Sequence, residues 1–100
     1  MTEETELQPL LDALHEHLQA TETLPVERRA SQWLGEAQAI AGDAADSGTQ
    51  EVAETRVPQI RHLLENVETT GDDEADSHVE AARAVLADIE MQLGETAGED

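Results

Sequence analysis

The chain has 100 residues, of which 24 are acidic and five are basic, so its formal net charge is -19 at pH 7 with neutral histidines. All five basic residues are arginines, and the absence of cysteine excludes disulfides and thiolate metal sites. We also do not expect nucleic-acid binding, because affinity for phosphate groups depends on clustered Lys and Arg side chains.

The length predicts a single domain, and no apolar run approaches the roughly 20 residues of a membrane span. The N-terminus lacks the basic region of a signal peptide, so we expect a cytoplasmic protein. Leu, Ile and Val make up only 20 residues, which is near the level of about 20% below which highly charged chains are disordered. The arrangement of these residues therefore decides whether the chain folds.

The first two predicted helices each carry an apolar stripe at helical spacing. Residues 6–20 place Leu7, Leu11, Leu14 and Leu18 on one face. Residues 25–41 repeat the spacing with Pro25 in the first turn and Gly42 as the predicted C-terminal cap. The second stripe comprises Val26, Ala30, Trp33, Ala37 and Ile40, flanked by Leu34.

The third predicted helix spans residues 49–67, with Ala53, Val57, Ile60, Leu64 and Val67 in phase. Pro58 lies inside it. An interior proline removes one hydrogen bond and clashes with the carbonyl four residues earlier, so we predict a kink or a break there.

The fourth predicted helix spans residues 77–93. Ser77 and Glu80 fit a capping box at its start, and Gly94 fits its end. The apolar positions are Val79, Ala82, Leu86, Ile89 and Leu93.

Four in-phase helices with short connections predict an all-α fold, an antiparallel four-helix bundle with up-down-up-down topology. Residues 1–94 form the predicted domain, and the acidic tail, residues 95–100, is expected to fray because it has nothing to bury.

The acidic excess exceeds what solubility requires, since a small domain needs a net charge of only about 2–8 in magnitude. Like charges at this density oppose compaction, whereas about 1 M salt shortens the Debye length to roughly 3 Å. The absence of lysine favours the same interpretation, because short carboxylates hold water and cations densely. We therefore predict a protein adapted to molar salt, with K⁺ and Na⁺ as non-specific counterions and no cofactor.

Several segments carry a resemblance to a known family: LPVERRASQWLGEA at 24–37, LHEHL at 14–18, and GDD at 71–73 followed by SHVEAAR at 77–83. Over residues 7–93 the chain resembles a small acidic helical family of halophilic archaea. That family has no known function, so the resemblance implies a habitat and a fold but no activity.

Histidines are the candidate general bases and transition-metal ligands. His15 and His17 fall on opposite sides of the leucine stripe of the first helix, so they cannot share one metal ion. His62 lies on the outer face of the third helix, and His78 lies near the start of the fourth. A di-iron bundle would need Glu-x-x-His on two helices, and the sequence has no such motif.

The acidic stretch after Gly71 is the other candidate cation site, with Asp72, Asp73 and Asp76 as its carboxylates. It lacks the alternating oxygen ligands of an EF-hand, so loose cation binding is the expectation. No nucleophile elbow, phosphate loop or dinucleotide motif is present, and we predict that the protein is not an enzyme.

Three residues are candidates for an interaction surface. Trp33 fits either the core or an interface anchor, since tryptophan is enriched in binding hot spots. Gly35 lies nearly opposite the core, where a neighbouring chain or loop would explain a glycine that costs about 1 kcal/mol in a helix interior. Arg56 lies near the third stripe and fits either a partly buried salt bridge or a partner's carboxylate.

The predicted function is non-enzymatic protein interaction or self-association, most simply as a homodimer, because an alanine-rich core buries little area. The alternative is an ion-binding or small-molecule-binding bundle that uses carboxylates and the boundary histidines. A mimic of nucleic acid is a weaker third possibility, since molar salt screens the attraction on which mimicry depends.

Overall fold

A computed structural model gives the structure of the chain and describes the backbone of residues 3–97 and the side chains of residues 7–94. Within that part the fold is all-α and contains no strand, which confirms the predicted class. The helices are α1 (Glu3–Ala20), α2 (Arg28–Ser47), α3 (Gln50–Glu65) and α4 (Asp73–Ala97), with one turn of 3-10 helix at Thr21–Thr23.

Each helix packs on the next along the chain, and α4 returns to pack on α1. Short links between long helices make consecutive helices antiparallel, and the body measures 44 × 19 × 19 Å. The most extensive contact joins the first and last helices, whereas the contact between α3 and α4 is the smallest of the four. The predicted four-helix bundle is confirmed.

The core follows the predicted stripes in three helices and departs from them in α2. Trp33 and Ile40 are only half-buried, whereas the buried positions of α2 are occupied by Leu34 and four alanines. Alanine leaves room for close approach, so α2 packs on α1 and α3 mainly through small side chains. The buried residues of α2 are Ala30, Leu34, Ala37, Ala41 and Ala44.

The predicted end of α2 at Gly42 is wrong. The helix continues to Ser47 because Ala44 is part of the core. It ends at Gly48, which adopts the left-handed conformation (φ 66°) that glycine tolerates best, and whose amide donates to the Ala44 carbonyl.

Helix α3 does not break at Pro58. It begins after Thr49, whose hydroxyl accepts a hydrogen bond from the Val52 amide at 3.3 Å, and it runs through Pro58 to Glu65. Both Pro58 and Glu54, the residue whose carbonyl loses its partner, are exposed. Water can therefore satisfy that carbonyl, which allows the helix to continue.

Helix α4 begins four residues before the predicted capping box. Asp72 is its N-terminal cap and accepts a hydrogen bond from the Ala75 amide at 3.0 Å, so Ser77 lies inside the helix. The helix also runs past Gly94 to Ala97. Residues 98–100 of the predicted tail lie outside the described residues.

Candidate functional site

Two of the candidate histidines meet across the contact between α1 and α4. The Nδ1 atoms of His17 and His78 are 3.3 Å apart, and their rings are tilted by 44° with centroids separated by 5.6 Å. Both side chains are half-buried. The pair joins residues 61 positions apart in the sequence, His17 near the end of α1 and His78 in the second turn of α4.

The other two histidines are not part of this pair. His15 packs towards α2, where a Cβ built on Gly42 would lie 3.2 Å from its Nε2 atom. His15 and His17 thus face different neighbouring helices, as their predicted phases require. His62 is exposed on α3.

The candidate aspartates lie at the start of α4, and two of them make hydrogen bonds at the loop that leads into this helix. Thr70 is fully buried, its amide donates to Asp76 Oδ1 at 2.8 Å, and its hydroxyl lies 2.8 Å from the same oxygen. The Thr70 amide is the main cause that lowers the pKa of Asp76 below its usual range. Asp72 caps α4, and Asp73 is exposed. No group of three or more His, Asp or Glu side chains in the described part is placed to hold a metal ion.

An open groove of about 610 Å³ separates α3 from α4. Val57 and Leu93 give it a buried apolar floor. Arg61 spans it and makes a bidentate ion pair with Glu90, with N–O distances of 2.5 and 2.7 Å. The Glu90 carboxylate raises the pKa of the Arg61 guanidinium. The remaining lining residues are Glu54, Pro58, His62, Glu65 and Gly94.

The three candidate interaction residues lie apart from the groove lining. Trp33 is half-buried against the core. Gly35 is exposed, and a Cβ built there would meet no atom within 4 Å. Arg56 is half-buried, but it forms no ion pair with any side chain of residues 7–94, so the predicted internal salt bridge is absent there.

Gly35→Ala is expected to raise the free energy of unfolding by about 1 kcal/mol, because the added methyl group enters open space and improves helix propensity. Urea unfolding followed by circular dichroism measures the change. Gly48→Ala is the matched control and should lower stability by about 1–2 kcal/mol, since its left-handed backbone disfavours alanine. A destabilised Gly35→Ala protein would show that the position is covered.

Sequence analysis missed Arg83, which lies on α4 and donates to one carbonyl in the last turn of α3 and to one just beyond it. Its Nη2 atom is 2.8 Å from the Leu64 oxygen and 2.6 Å from the Val67 oxygen. Nothing in the spacing of the apolar residues signals this contact, because it depends on how α4 packs against the end of α3.

Together these features define a small acidic four-helix bundle with a histidine pair on one interhelical contact and an open groove on another. None of the described helices combines the length and apolarity needed to cross a membrane. Residues 10–96 match the model of a domain of unknown function, DUF8152, and the chain belongs to that family. Searches of the curated proteins and of the solved structures gave no match.

Proposed function

We propose that this protein is a non-enzymatic association module of a salt-rich archaeal cytoplasm and that it pairs with a second copy of itself. K⁺ and Na⁺ serve as its counterions. The observation that carries the proposal is the groove between α3 and α4. The groove has a volume of about 610 Å³ and is open to solvent, and Val57 and Leu93 form its apolar floor.

The side chain that we propose to occupy the groove lies at the same end of α4 as the groove itself. Met91 is 62% exposed, and it is the large apolar side chain most accessible to solvent in the described part of the chain. It lies within one helical turn of Leu93 and Gly94, which line the groove. In a two-fold dimer each copy presents the same surface, so Met91 of each copy enters the groove of the other.

Charge determines the conditions for this pairing. Two copies, each with a net charge of -19, repel each other at low ionic strength. Molar salt screens that repulsion while leaving the burial of apolar surface favourable. The proposed dimer therefore strengthens as salt is added, unlike an interface held by surface ion pairs.

Multi-angle light scattering in molar KCl is expected to give twice the 10.8 kDa mass of one chain. Gly94→Leu should dissociate the dimer, because a Cβ at position 94 meets nothing within one chain and the longer side chain occupies the mouth of the groove. Met91→Gln should weaken it in the same way.

Gly35→Leu is the matched control, since it adds the same side chain to open space on the outer face of α2. It should leave the mass unchanged. A monomer at the highest attainable concentration would contradict the dimer. Dissociation by Gly35→Leu alone would show that the interface lies on α2 and not at the groove.

A further inference from the structure

The contact between His17 and His78 brings two imidazole nitrogens together on the pair of helices that share the most extensive contact. The Nδ1 atoms face each other at 3.3 Å, and the two rings belong to the first and last helices of the bundle. Two neutral imidazoles that both present lone pairs at this distance repel each other. A proton or a metal ion between them would convert that repulsion into attraction.

The distance between the two nitrogens fits a metal ion as well as a shared proton. At 3.3 Å one ring can donate an N–H···N hydrogen bond to the other, with the donor set by the tautomers. Zinc binds histidine nitrogen at about 2.0–2.1 Å in tetrahedral geometry, which places two such nitrogens about 3.3–3.4 Å apart. The two Nδ1 atoms are therefore already spaced as two ligands of one tetrahedral ion would be.

We infer that His17 and His78 form a binding site for a divalent transition-metal ion of the Zn²⁺ class, with both Nδ1 atoms as ligands. Imidazole nitrogen suits zinc, copper and nickel, whereas Mg²⁺ and Ca²⁺ prefer oxygen ligands. The site is independent of the groove between α3 and α4, and it ties the first helix to the last.

The surroundings of the pair admit a cation. His17 lies in the last turn of α1, where the helix dipole favours positive charge, and His78 lies beyond the first turn of α4, where the opposing dipole is strongest. Both side chains are half-buried, so an ion can enter from solvent. The described part of the chain offers no third His, Asp or Glu ligand, and water completes the coordination of an exchangeable ion.

Titration of the full chain with ZnCl₂ in the salt in which it folds is expected to show one bound ion per chain by calorimetry. His17→Ala and His78→Ala should each weaken binding by more than about a hundredfold, since losing even an outer-shell partner costs about 10–100-fold. His15→Ala and His62→Ala are matched controls and should retain the affinity of the unaltered chain. Unchanged zinc affinity in His17→Ala or His78→Ala would overturn the site.

A second measurement needs no substitution and remains informative if a variant fails to fold. Long-range proton–nitrogen correlation NMR of the unaltered protein should show zinc-dependent shifts at the Nδ1 atoms of His17 and His78. The ring nitrogens of His15 and His62 should not move. Shifts confined to Nε2 atoms, or to the control histidines, would also overturn the proposal.

Discussion

Transfer of the protein from molar KCl to millimolar buffer is expected to remove most of its helical circular dichroism, and returning the salt should restore it. Only five arginines oppose 24 acidic residues. Among residues 7–94, the ion pair between Arg61 and Glu90 is the single close contact between an arginine and a carboxylate. The Debye length grows from about 3 Å at 1 M salt to about 30 Å at 0.01 M, so unscreened repulsion then acts across the whole 19 Å width of the bundle.

An acid titration in millimolar buffer separates charge repulsion from other effects of salt. Lowering the pH to about 4, near the ordinary pKa of Asp and Glu, neutralises many carboxylates without adding ions. Helical signal should therefore return in part. A protein that stays helical in millimolar buffer at neutral pH would contradict the salt requirement, and a failure of acid to restore structure would show that charge is not its cause.

Asp76 has a lowered pKa, which matters at the acid end of that titration. Its hydrogen bonds to Thr70 hold its pKa below the usual range. Because the folded-state pKa is lowered, its contribution to stability is fully present above the unfolded value of about 3.9 and is lost as the pH falls through the folded value. Acidification through the lowered pKa of Asp76 therefore weakens the hydrogen bonds of the loop before α4.

The fold was predictable because each helix carries its own apolar stripe. Leu14 in α1, Ile60 in α3 and Leu86 in α4 lie at predicted positions and are fully buried. In α2, hydrophobicity pointed to Trp33 and Ile40, which are only half-buried, whereas Ala41 and Ala44 are fully buried outside the predicted stripe. Burial there depends on the distance between helices, which the pattern of one helix does not contain.

Helix ends were less predictable because several residues offer caps. Gly42 and Ser77 both fit local rules, yet each lies inside a helix. Gly48 and Asp72 cap the helices instead, since tertiary packing extends α2 to include Ala44 and starts α4 early enough to bury Ala75. Local signals therefore indicated that ends exist, and packing determined where they fall.

The sequence identified the histidines as candidate site residues, but it did not show which of them contact each other. Helical phase separated His15 from His17, because both lie on one helix. It could not pair His17 with His78, since that contact depends on the axial offset between α1 and α4. The same reason hid Arg83, whose partners are carbonyl oxygens and leave no trace in the side-chain pattern.

Arg83→Ala is expected to lower the free energy of unfolding by about 1.5–3 kcal/mol, the usual size for hydrogen bonds to a charged group. The guanidinium of Arg83 donates to the carbonyls of Leu64 and Val67. The final carbonyls of a helix have no partner within it, and the dipole there favours a positive charge. Urea unfolding in molar KCl, followed by circular dichroism, measures the loss.

Arg56→Ala is the matched control for Arg83→Ala, because it removes the same side chain and the same unit of charge. Arg56 is also half-buried, but no hydrogen bond or ion pair joins it to another described residue. Its replacement should change stability by only about 0.5 kcal/mol. Equal losses in the two variants would show that net charge, rather than the capping of α3, accounts for the effect of Arg83. A loss confined to Arg83→Ala would instead show that this contact helps to hold α4 to the end of α3.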